Sequence, residues 1–183
     1  KTFLTLSDGT RIESPQFFRK GIKEIKKASK ELSRKEEGRN GYVKAQKALY
    51  RRHEHIANCR RDWFFKLSHE LCSAYSVIII EDLNIKGMAR LWGRKVNDYA
   101  FGEFVRILEW VASKHYTVIV KADRFYPSSQ TCSRCGALNH DMKDLRRRTF
   151  KCGACSLEMD RDENAAVNLK NEELRILNKL EVV

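Results

Sequence analysis

The sequence predicts an α/β fold with a small metal-binding module inserted before the last helix. Two short apolar runs, Ser76–Ile80 and Thr117–Val120, have the composition of strands buried on both faces, and helical periodicity separates them. Two Cys-x-x-Cys pairs follow the second run and precede a final helical stretch. Strands that alternate with helices are typical of an α/β sheet, and the cysteine pairs indicate the inserted module.

The chain is predicted to open with a β-hairpin. Lys1–Leu6 alternates in the manner of a strand, Ser7–Gly9 favours a turn, and Thr10–Glu13 is expected to return as the second strand. Ser14 and Pro15 then favour the start of a helix, as N-cap and first-turn residue.

Two long helices are predicted over about residues 15–75. Apolar residues recur at helical spacing on both sides of a glycine-containing break at Glu36–Gly41, which predicts an antiparallel helical hairpin with a basic outer surface. These apolar residues are Phe18, Ile22, Ile25 and Leu32 before the break, and Tyr42, Leu49, Ile56, Trp63, Leu67 and Leu71 after it.

The positive charge is concentrated in this helical pair. The chain carries 36 Lys and Arg against 24 Asp and Glu, a net charge of +12. Between Arg19 and Lys66, 16 basic and 6 acidic residues give a net of +10. Long basic helices are often only solvated, but this clustering favours a surface that contacts nucleic-acid phosphates. The residues predicted to bind nucleic acid are Lys23, Lys26, Lys27, Arg51 and Arg52.

Two cysteines lie outside the paired motifs, and no apolar run reaches the length of a membrane span. Cys59 and Cys72 fall in apolar helical context and are predicted to be buried free thiols, which fits a reducing compartment. A signal-peptide pattern is also absent from the sequence, so no membrane partner is expected.

The paired cysteines predict a structural zinc site. Cys132 and Cys135 are separated by sixteen residues from Cys152 and Cys155, a spacing that suits a tetrahedral ion held by four thiolates. Such a site has no open coordination position and therefore stabilises the fold without activating water. The alternatives are two disulfides or a pair of redox motifs. Disulfides are disfavoured because nothing else in the chain indicates secretion, and two adjacent redox motifs would be unusual. Glycines at Gly136 and Gly153 are expected where the backbone needs freedom.

Carboxylates follow the first buried run and open the last helix. Glu81 and Asp82 come directly after Ile80, the stretch Ile85–Asp98 is predicted to form a loop or short helices, and Asp162 lies at the helix start. Chemistry in open α/β sheets is placed at the carboxyl ends of strands, and carboxylates suit Mg²⁺. Glu81 and Asp162 are therefore the predicted catalytic and magnesium-binding residues.

Several acidic neighbours have simpler explanations. Asp160 and Glu163 have capping-box spacing, so Asp160 is expected to cap the helix, although it is the less favoured alternative to Asp162 as the catalytic acid. Asp82 can be a solvated strand end, and Asp123 is a lesser catalytic candidate. Asn164 is expected to orient Asp162 or a substrate phosphate.

Three ordered motifs resemble the TnpB/OrfB family of transposon-encoded, RNA-guided DNA endonucleases, relatives of the type V CRISPR nucleases and Fanzor proteins. They are Ile80–Asn84, the run Arg124–Gly136 that contains the first cysteine pair, and Asp160–Leu169. The resemblance covers nearly the whole chain and points to the carboxyl-terminal half of such proteins.

The resemblance implies a RuvC-like nuclease domain of ribonuclease-H fold, formed by residues 1–126 and 160–183 and interrupted by a zinc ribbon at 127–159. It further implies Mg²⁺-dependent cutting of target DNA directed by a guide RNA, in the context of transposition. Glu81 would be the second catalytic acid and Asp162 the third. The expected location is the prokaryotic cytoplasm, on the nucleoid when DNA is bound.

The chain departs from the family pattern at its start. Family members carry a first catalytic Asp on a strand that precedes the one beginning at Lys1, so that strand and its Asp are expected to be absent. We therefore expect poor cutting by this chain alone, and a partner in the rest of its own polypeptide or in a full-length homologue. The alternatives are a non-catalytic nucleic-acid-binding or regulatory module and, with little support from the charge pattern, a zinc domain that binds protein.

Overall fold

The protein is described from a computed structural model, which covers residues 2–84, 87, 100–144 and 146–180. Most of the predicted loop Ile85–Asp98 lies outside these residues. The elements along the chain are β1 (Thr2–Thr5), β2 (Arg11–Glu13), α1 (Phe17–Leu32), α2 (Asn40–Ala74), β3 (Val77–Glu81), α3 (Phe101–His115), β4 (Val118–Ala122), a short 3-10 helix (His140–Lys143), β5 (Thr149–Lys151), β6 (Glu158–Asp160) and α4 (Arg161–Leu180).

The chain forms two compact units. One comprises residues 1–14, 77–83 and 118–183, and the other residues 15–76 and 84–117. The first unit contains all six strands and α4, and the second contains the long helices α1, α2 and α3. The fold is mixed α/β, as predicted.

The first unit begins with the predicted β-hairpin. β1 and β2 pair antiparallel, and the turn between them has Gly9 at a φ of 85°, a left-handed conformation that favours glycine. β5 and β6 form a second antiparallel pair in the cysteine module. The hairpin prediction is confirmed.

The parallel pairing of β3 and β4 places the carboxyl ends of both strands at one edge of the first unit. β3 and β4 pair in register from Val77 with Val118 to Glu81 with Ala122. The prediction that both strands are buried on both faces is wrong, because Val77 is 38% and Val118 55% exposed. Although α4 packs against both strands, β3 and β4 form a sheet of only two strands within the described residues, which leaves much of each strand near the surface.

The second unit is built on the predicted antiparallel helical hairpin. Phe17 in α1 lies edge-on to Trp63 in α2, and Gly21 lies against Ile56, so the two helices run in opposite directions. A Cβ at position 21 would lie 2.5 Å from the Ile56 side chain, which explains why glycine is needed at this close approach. α3 then packs against α2 and completes the core of this unit.

Two details of the helices differ from the predictions. α1 begins at Phe17 and not at Ser14–Pro15, because the chain enters the helix through Gln16, whose φ is 55° and whose carbonyl accepts the first helical bond from Lys20. Cys72 is buried as predicted, but Cys59 is only half-buried, since it lies beside His55 on a more exposed part of α2. In the described part of the chain, the helices lack the combination of length and apolarity that crossing a bilayer requires.

Candidate metal centre and carboxylate site

The four paired cysteines converge in the first unit. Their sulfur atoms all lie within 4.8 Å of one another, and the closest pairs, Cys132 with Cys155 and Cys135 with Cys152, are both separated by 3.6 Å. Four sulfurs at about 2.3 Å from one tetrahedral ion would be about 3.8 Å apart. Disulfide sulfurs are bonded at about 2.05 Å, so the arrangement fits a shared ion and not two disulfides. The cluster could hold a metal ion such as zinc.

The two cysteine turns have the same backbone geometry. Gly136 donates its N–H to the Cys132 carbonyl at 2.9 Å, and Ser156 donates to the Cys152 carbonyl at 3.1 Å. Both donors have left-handed φ angles, 75° at Gly136 and 56° at Ser156. The prediction that Gly153 supplies the freedom of the second turn is wrong, because the left-handed position is the residue after the second cysteine.

The backbone also prepares a thiolate for the metal. N–H groups of Cys155 and Ala154 point at the Cys152 sulfur and lower the pKa of its thiol to about 6. Although the Ala137 N–H opposes the shift, the neighbouring Cys155 and Cys152 thiols raise the pKa of Cys135 to about 12. Because the thiolate is the form that binds metal, binding of an ion to the cluster would release protons. A small apolar cluster that includes Met142 and Phe150 packs beside the buried cysteines.

Glu81 lies at the carboxyl end of β3, where the carboxyl end of β4 also lies. The Ser128 hydroxyl donates a hydrogen bond to its Oε1 at 3.2 Å. Glu81 is exposed as a residue, but the surrounding protein partly desolvates its carboxyl group. This desolvation is the main cause that raises the pKa of Glu81. The Ser128 hydrogen bond opposes the shift, and the negative charge of Asp162 adds to it.

Asp162 lies in the first turn of α4 and is half exposed. Its Oδ1 accepts from the guanidinium of the preceding Arg161 at 3.2 Å, and its Oδ2 lies 3.9 Å from Nη1 of Arg148. Its negative charge acts on Glu81, and α4, which begins with Asp162 in its first turn, packs against β3, which ends at Glu81. Both predicted residues therefore lie in the first unit, on two elements that pack together.

Asp160 caps α4, as its spacing predicts. Its Oδ1 accepts from the backbone N–H groups of Asp162 at 2.9 Å and Glu163 at 3.2 Å, while its Oδ2 pairs with Arg11 at 2.9 Å. The Glu163 carboxylate lies against the hairpin turn at Gly9. Both oxygens of Asp160 are thus engaged in holding the helix start to the hairpin.

The other acidic candidates have structural contacts of their own. Asp82 forms an ion pair with Arg124, and the Arg124 Nε also donates to the Asp82 carbonyl at 3.2 Å. Asp123 accepts from the N–H of Phe125 in the turn that follows β4. Within the described residues, the cysteine cluster is the one set of three or more metal-ligating side chains that come together.

The prediction for Asn164 is wrong. Its side chain is fully buried and bonds to the first cysteine turn, with Oδ1 accepting from Ser133 N at 3.0 Å and Nδ2 donating to Thr131 O at 2.7 Å. Asn168, one helical turn further on, is 4% exposed and was missed. The available signal was the pair of amides at i and i+4 on the otherwise apolar side of α4.

The predicted nucleic-acid-binding residues are all free for a ligand. All five, Lys23, Lys26, Lys27, Arg51 and Arg52, are exposed on α1 and α2. In the described part of the chain they form no ion pair or side-chain hydrogen bond, whereas Arg39 and Lys66 on the same helix pair are engaged with Glu36 and Asp62.

The fold and the four-cysteine cluster define a class, the mixed α/β proteins with a cysteine module that could hold a metal ion. The family model OrfB_IS605, described as "Probable transposase", matches residues 1–91, and the model described as "Cas12f1-like, TNB domain" matches residues 101–169. The chain belongs to the TnpB/OrfB family.

Similar proteins come from bacteria and a virus. A Streptomyces pristinaespiralis protein named "Putative RNA-guided DNA endonuclease" is 32% identical, over 92% of this chain and 42% of its own length. The Escherichia coli K12 protein named "Putative RNA-guided DNA endonuclease InsQ" is 28% identical over 90% of this chain and 45% of its own length. A TnpB-like protein of Acanthamoeba polyphaga mimivirus is 31% identical over 69% of this chain and 25% of its own length.

A solved structure shares the fold. The protein in the cryo-EM structure of the Cas12f1-sgRNA-target DNA complex matches 90% of this chain and 44% of its own chain, with a TM-score of 0.63 and 20% sequence identity. This chain spans less than half of the length of that protein and of the curated relatives it matches.

Proposed function

We propose that this chain is the carboxyl-terminal, RuvC-like part of an RNA-guided, Mg²⁺-dependent DNA endonuclease, with Glu81 and Asp162 as catalytic carboxylates. The observation that carries the proposal is that Glu81 ends β3 and Asp162 lies in the first turn of α4, the helix that packs against β3 within one compact unit. Relatives that are named as RNA-guided DNA endonucleases support the same function.

The residues present fit a hard divalent cation. Carboxylate oxygens are the ligands that Mg²⁺ prefers, so Glu81 and Asp162 would be the residues that hold such an ion. In phosphodiester hydrolysis, a pair of bound Mg²⁺ ions activates the attacking water and stabilises the leaving oxygen. The cysteine cluster has no part in this chemistry, because four thiolates leave zinc without an open position.

The surrounding side chains orient the two carboxylates. The Ser128 hydroxyl donates to Oε1 of Glu81. Arg161 donates to Oδ1 of Asp162, whose Oδ2 lies 3.9 Å from Nη1 of Arg148, beyond hydrogen-bond distance. Asp160 is less suited to metal binding, because its two oxygens already cap α4 and pair with Arg11. This division of roles favours Asp162 over Asp160 as the catalytic acid.

A complete active site needs a further carboxylate. Two-ion sites use three or more carboxylates, whereas Glu81 and Asp162 are two. β3 has β4 as its only strand partner in the described part of the chain, so its other edge has backbone groups available for pairing. We infer that the family's first strand pairs there and brings its Asp beside Glu81.

The test compares this chain with a version extended at its amino terminus. Purified alone, the chain should bind nucleic acid but leave DNA intact in Mg²⁺. The encoding gene should place an Asp four or five positions before Lys1, and the extended protein with guide RNA should cut its target. Robust cutting by the short chain that Glu81→Ala abolishes would refute the need for the strand, and no cutting by the extended protein would refute the nuclease proposal.

Charge reversal of the basic helices tests the predicted contact with guide RNA or target DNA. Replacing Lys23, Lys26, Lys27, Arg51 and Arg52 by Glu should weaken binding to any sequence and flatten its salt dependence. Because each phosphate contact contributes about 0.9 to the slope of log affinity against log salt on duplex DNA, the loss should approach about 4. Filter binding or anisotropy over a salt series gives the slope.

The matched control reverses Arg39 and Lys66, which lie on the same helix pair but are engaged in ion pairs. These two changes should reduce the slope less per charge than any two of the five. Affinity and slope that match the wild type after all five reversals would remove the basis for a phosphate-contacting surface.

The second candidate function is a non-catalytic nucleic-acid-binding or regulatory module. It is favoured by the five exposed basic side chains of α1 and α2, which could contact phosphates without either carboxylate. This function predicts that Glu81→Gln and Asp162→Asn leave nucleic-acid binding and any effect on a full-length homologue unchanged. A change in the homologue's cutting that needs both carboxylates would exclude it.

A further inference from the structure

The first turns of helix α4 carry two buried side-chain amides, Asn164 and Asn168, on the side that faces the cysteine module. Asn164 is fully buried and Asn168 is 4% exposed, one helical turn apart. Buried side-chain amides are costly unless their polar atoms find partners. Asn164 uses both its acceptor and its donor, and Asn168 donates two hydrogen bonds from its Nδ2. Asp162, two residues before Asn164, lies on the same rigid helix.

Asn164 attaches α4 to the first cysteine turn. Its Oδ1 accepts from Ser133 N, and Ser133 lies between Cys132 and Cys135 in the sequence. Its Nδ2 donates to the carbonyl of Thr131, the residue before Cys132. One side chain therefore binds the backbone on both sides of a metal-ligating cysteine.

Asn168 attaches the same helix to the segment that supports Glu81. Its Nδ2 donates to Ser128 O at 2.8 Å and to Thr131 O at 2.6 Å. Ser128 is itself buried, and its hydroxyl donates to the Glu81 carboxylate at 3.2 Å. The connection from the cysteine turn through Thr131, Asn168 and Ser128 to Glu81 is continuous.

We propose that Asn164 and Asn168 are positioning residues that couple metal occupancy of the four-cysteine cluster to the arrangement of Glu81 and Asp162. The inference rests on the proposed function, because it concerns the same two carboxylates. A bound ion fixes the backbone around Cys132, the two amides transmit that position to α4, and Ser128 transmits it to Glu81. Partners that orient metal ligands typically change metal affinity 10- to 100-fold when they are replaced.

The first test replaces each amide by the isosteric acid. Asn164→Asp and Asn168→Asp keep an acceptor oxygen but lose the N–H donors and set a carboxylate against backbone carbonyls. We expect zinc affinity, measured by competition with a chromophoric chelator, to fall roughly 10- to 100-fold in Asn164→Asp. Asn171→Asp makes the same charge change at an exposed position of α4 and should retain wild-type affinity.

The second test follows the coupling by amide hydrogen exchange of the full chain. The Ser128 N–H donates to Tyr126 O at 2.8 Å and reports on the segment between the cluster and Glu81. We expect zinc removal to speed exchange at Ser128 in the wild type, and Asn168→Asp to speed it with zinc still bound. Exchange in β1 and β2 serves as the reference, because a general loss of stability would speed both regions together.

A milder substitution covers the case in which the acidic variants fail to fold. Ser128→Ala removes only the hydroxyl, so the rate of amide hydrogen exchange at Glu81 should no longer depend on zinc. The affinity for zinc should stay within about twofold of the wild type. Ser128→Thr retains the hydroxyl and should restore the coupling. Amide exchange rates at Ser128 and Glu81 that are the same with and without zinc in the wild type would overturn the proposal.

These readouts separate the two proposals. Coupling that follows the expected pattern, in an amino-terminally extended protein that never cuts DNA in the presence of guide RNA, would support the positioning role and refute the nuclease function. Cutting that depends on Glu81 and Asp162, in a protein whose exchange and zinc affinity are unaffected by the amide variants, would support the nuclease function and refute the positioning role.

Discussion

Glu81→Gln and Asp162→Asn should each lower Mg²⁺-dependent DNA cutting roughly a thousandfold or more in the amino-terminally extended protein. A bound metal contributes several kcal/mol of transition-state stabilisation, and each 1.36 kcal/mol corresponds to a tenfold rate. Single-turnover cutting of a labelled target in the presence of guide RNA measures the effect.

The same substitutions should leave the fold intact. Desolvation and the charge of Asp162 disfavour the ionised Glu81 side chain, so a neutral amide at position 81 removes a repulsion and still offers an oxygen to Ser128. We therefore expect the variant to melt at or above the wild-type temperature in the absence of Mg²⁺. Asp160→Asn is the matched control, since it should retain most cutting, and equal losses at Asp160 and Asp162 would contradict the division of roles.

Removal of zinc should unfold the cysteine module. Structural zinc sites bind with about 10 to 16 kcal/mol, an amount comparable to the 5 to 15 kcal/mol that stabilises a whole domain. A strong zinc chelator should abolish the protection of backbone amides in β5 and β6, and the loss of the Asn164 and Asn168 contacts should extend the effect into α4. Hydrogen exchange followed by mass spectrometry would map the affected residues.

A cysteine pair provides the control for this prediction. Cys135→Ser removes one ligand of the cluster and should reduce zinc binding by at least tenfold, whereas Cys59→Ser changes a half-buried thiol outside the cluster and should bind one zinc as tightly as the wild type. Stoichiometric zinc in Cys135→Ser with unchanged protection would show that the four thiolates do not form the metal site.

Local patterns predicted the elements whose formation depends on neighbouring residues. The glycine turn between β1 and β2, the apolar stripes of α1 and α2, and the capping of α4 by Asp160 all follow from short-range chemistry. The spacing of the cysteines likewise predicted their convergence, because two tight turns leave few other arrangements.

Features set by tertiary contacts were beyond these patterns. The apolar composition of β3 suggested burial on both faces, but burial depends on how many strands and helices surround it. The closeness of Asn164 to Asp162 in the sequence predicts that Asn164 orients that carboxylate. Its amide is instead buried against the first cysteine turn, a segment about thirty residues away in the sequence. The left-handed conformation of Ser156 could not be predicted from the sequence, because serine, unlike the equivalent Gly136, does not favour a positive φ.

The most direct test of the account is to count the divalent ions held by Glu81 and Asp162. Electron paramagnetic resonance of Mn²⁺, titrated into the extended protein with guide RNA, measures occupancy without any need for cutting. We expect occupancy of the active-site ions to be lost in Glu81→Gln and in Asp162→Asn, and to be retained in Asp160→Asn. Full Mn²⁺ occupancy in both Glu81→Gln and Asp162→Asn would contradict the proposal that these two carboxylates form the metal site.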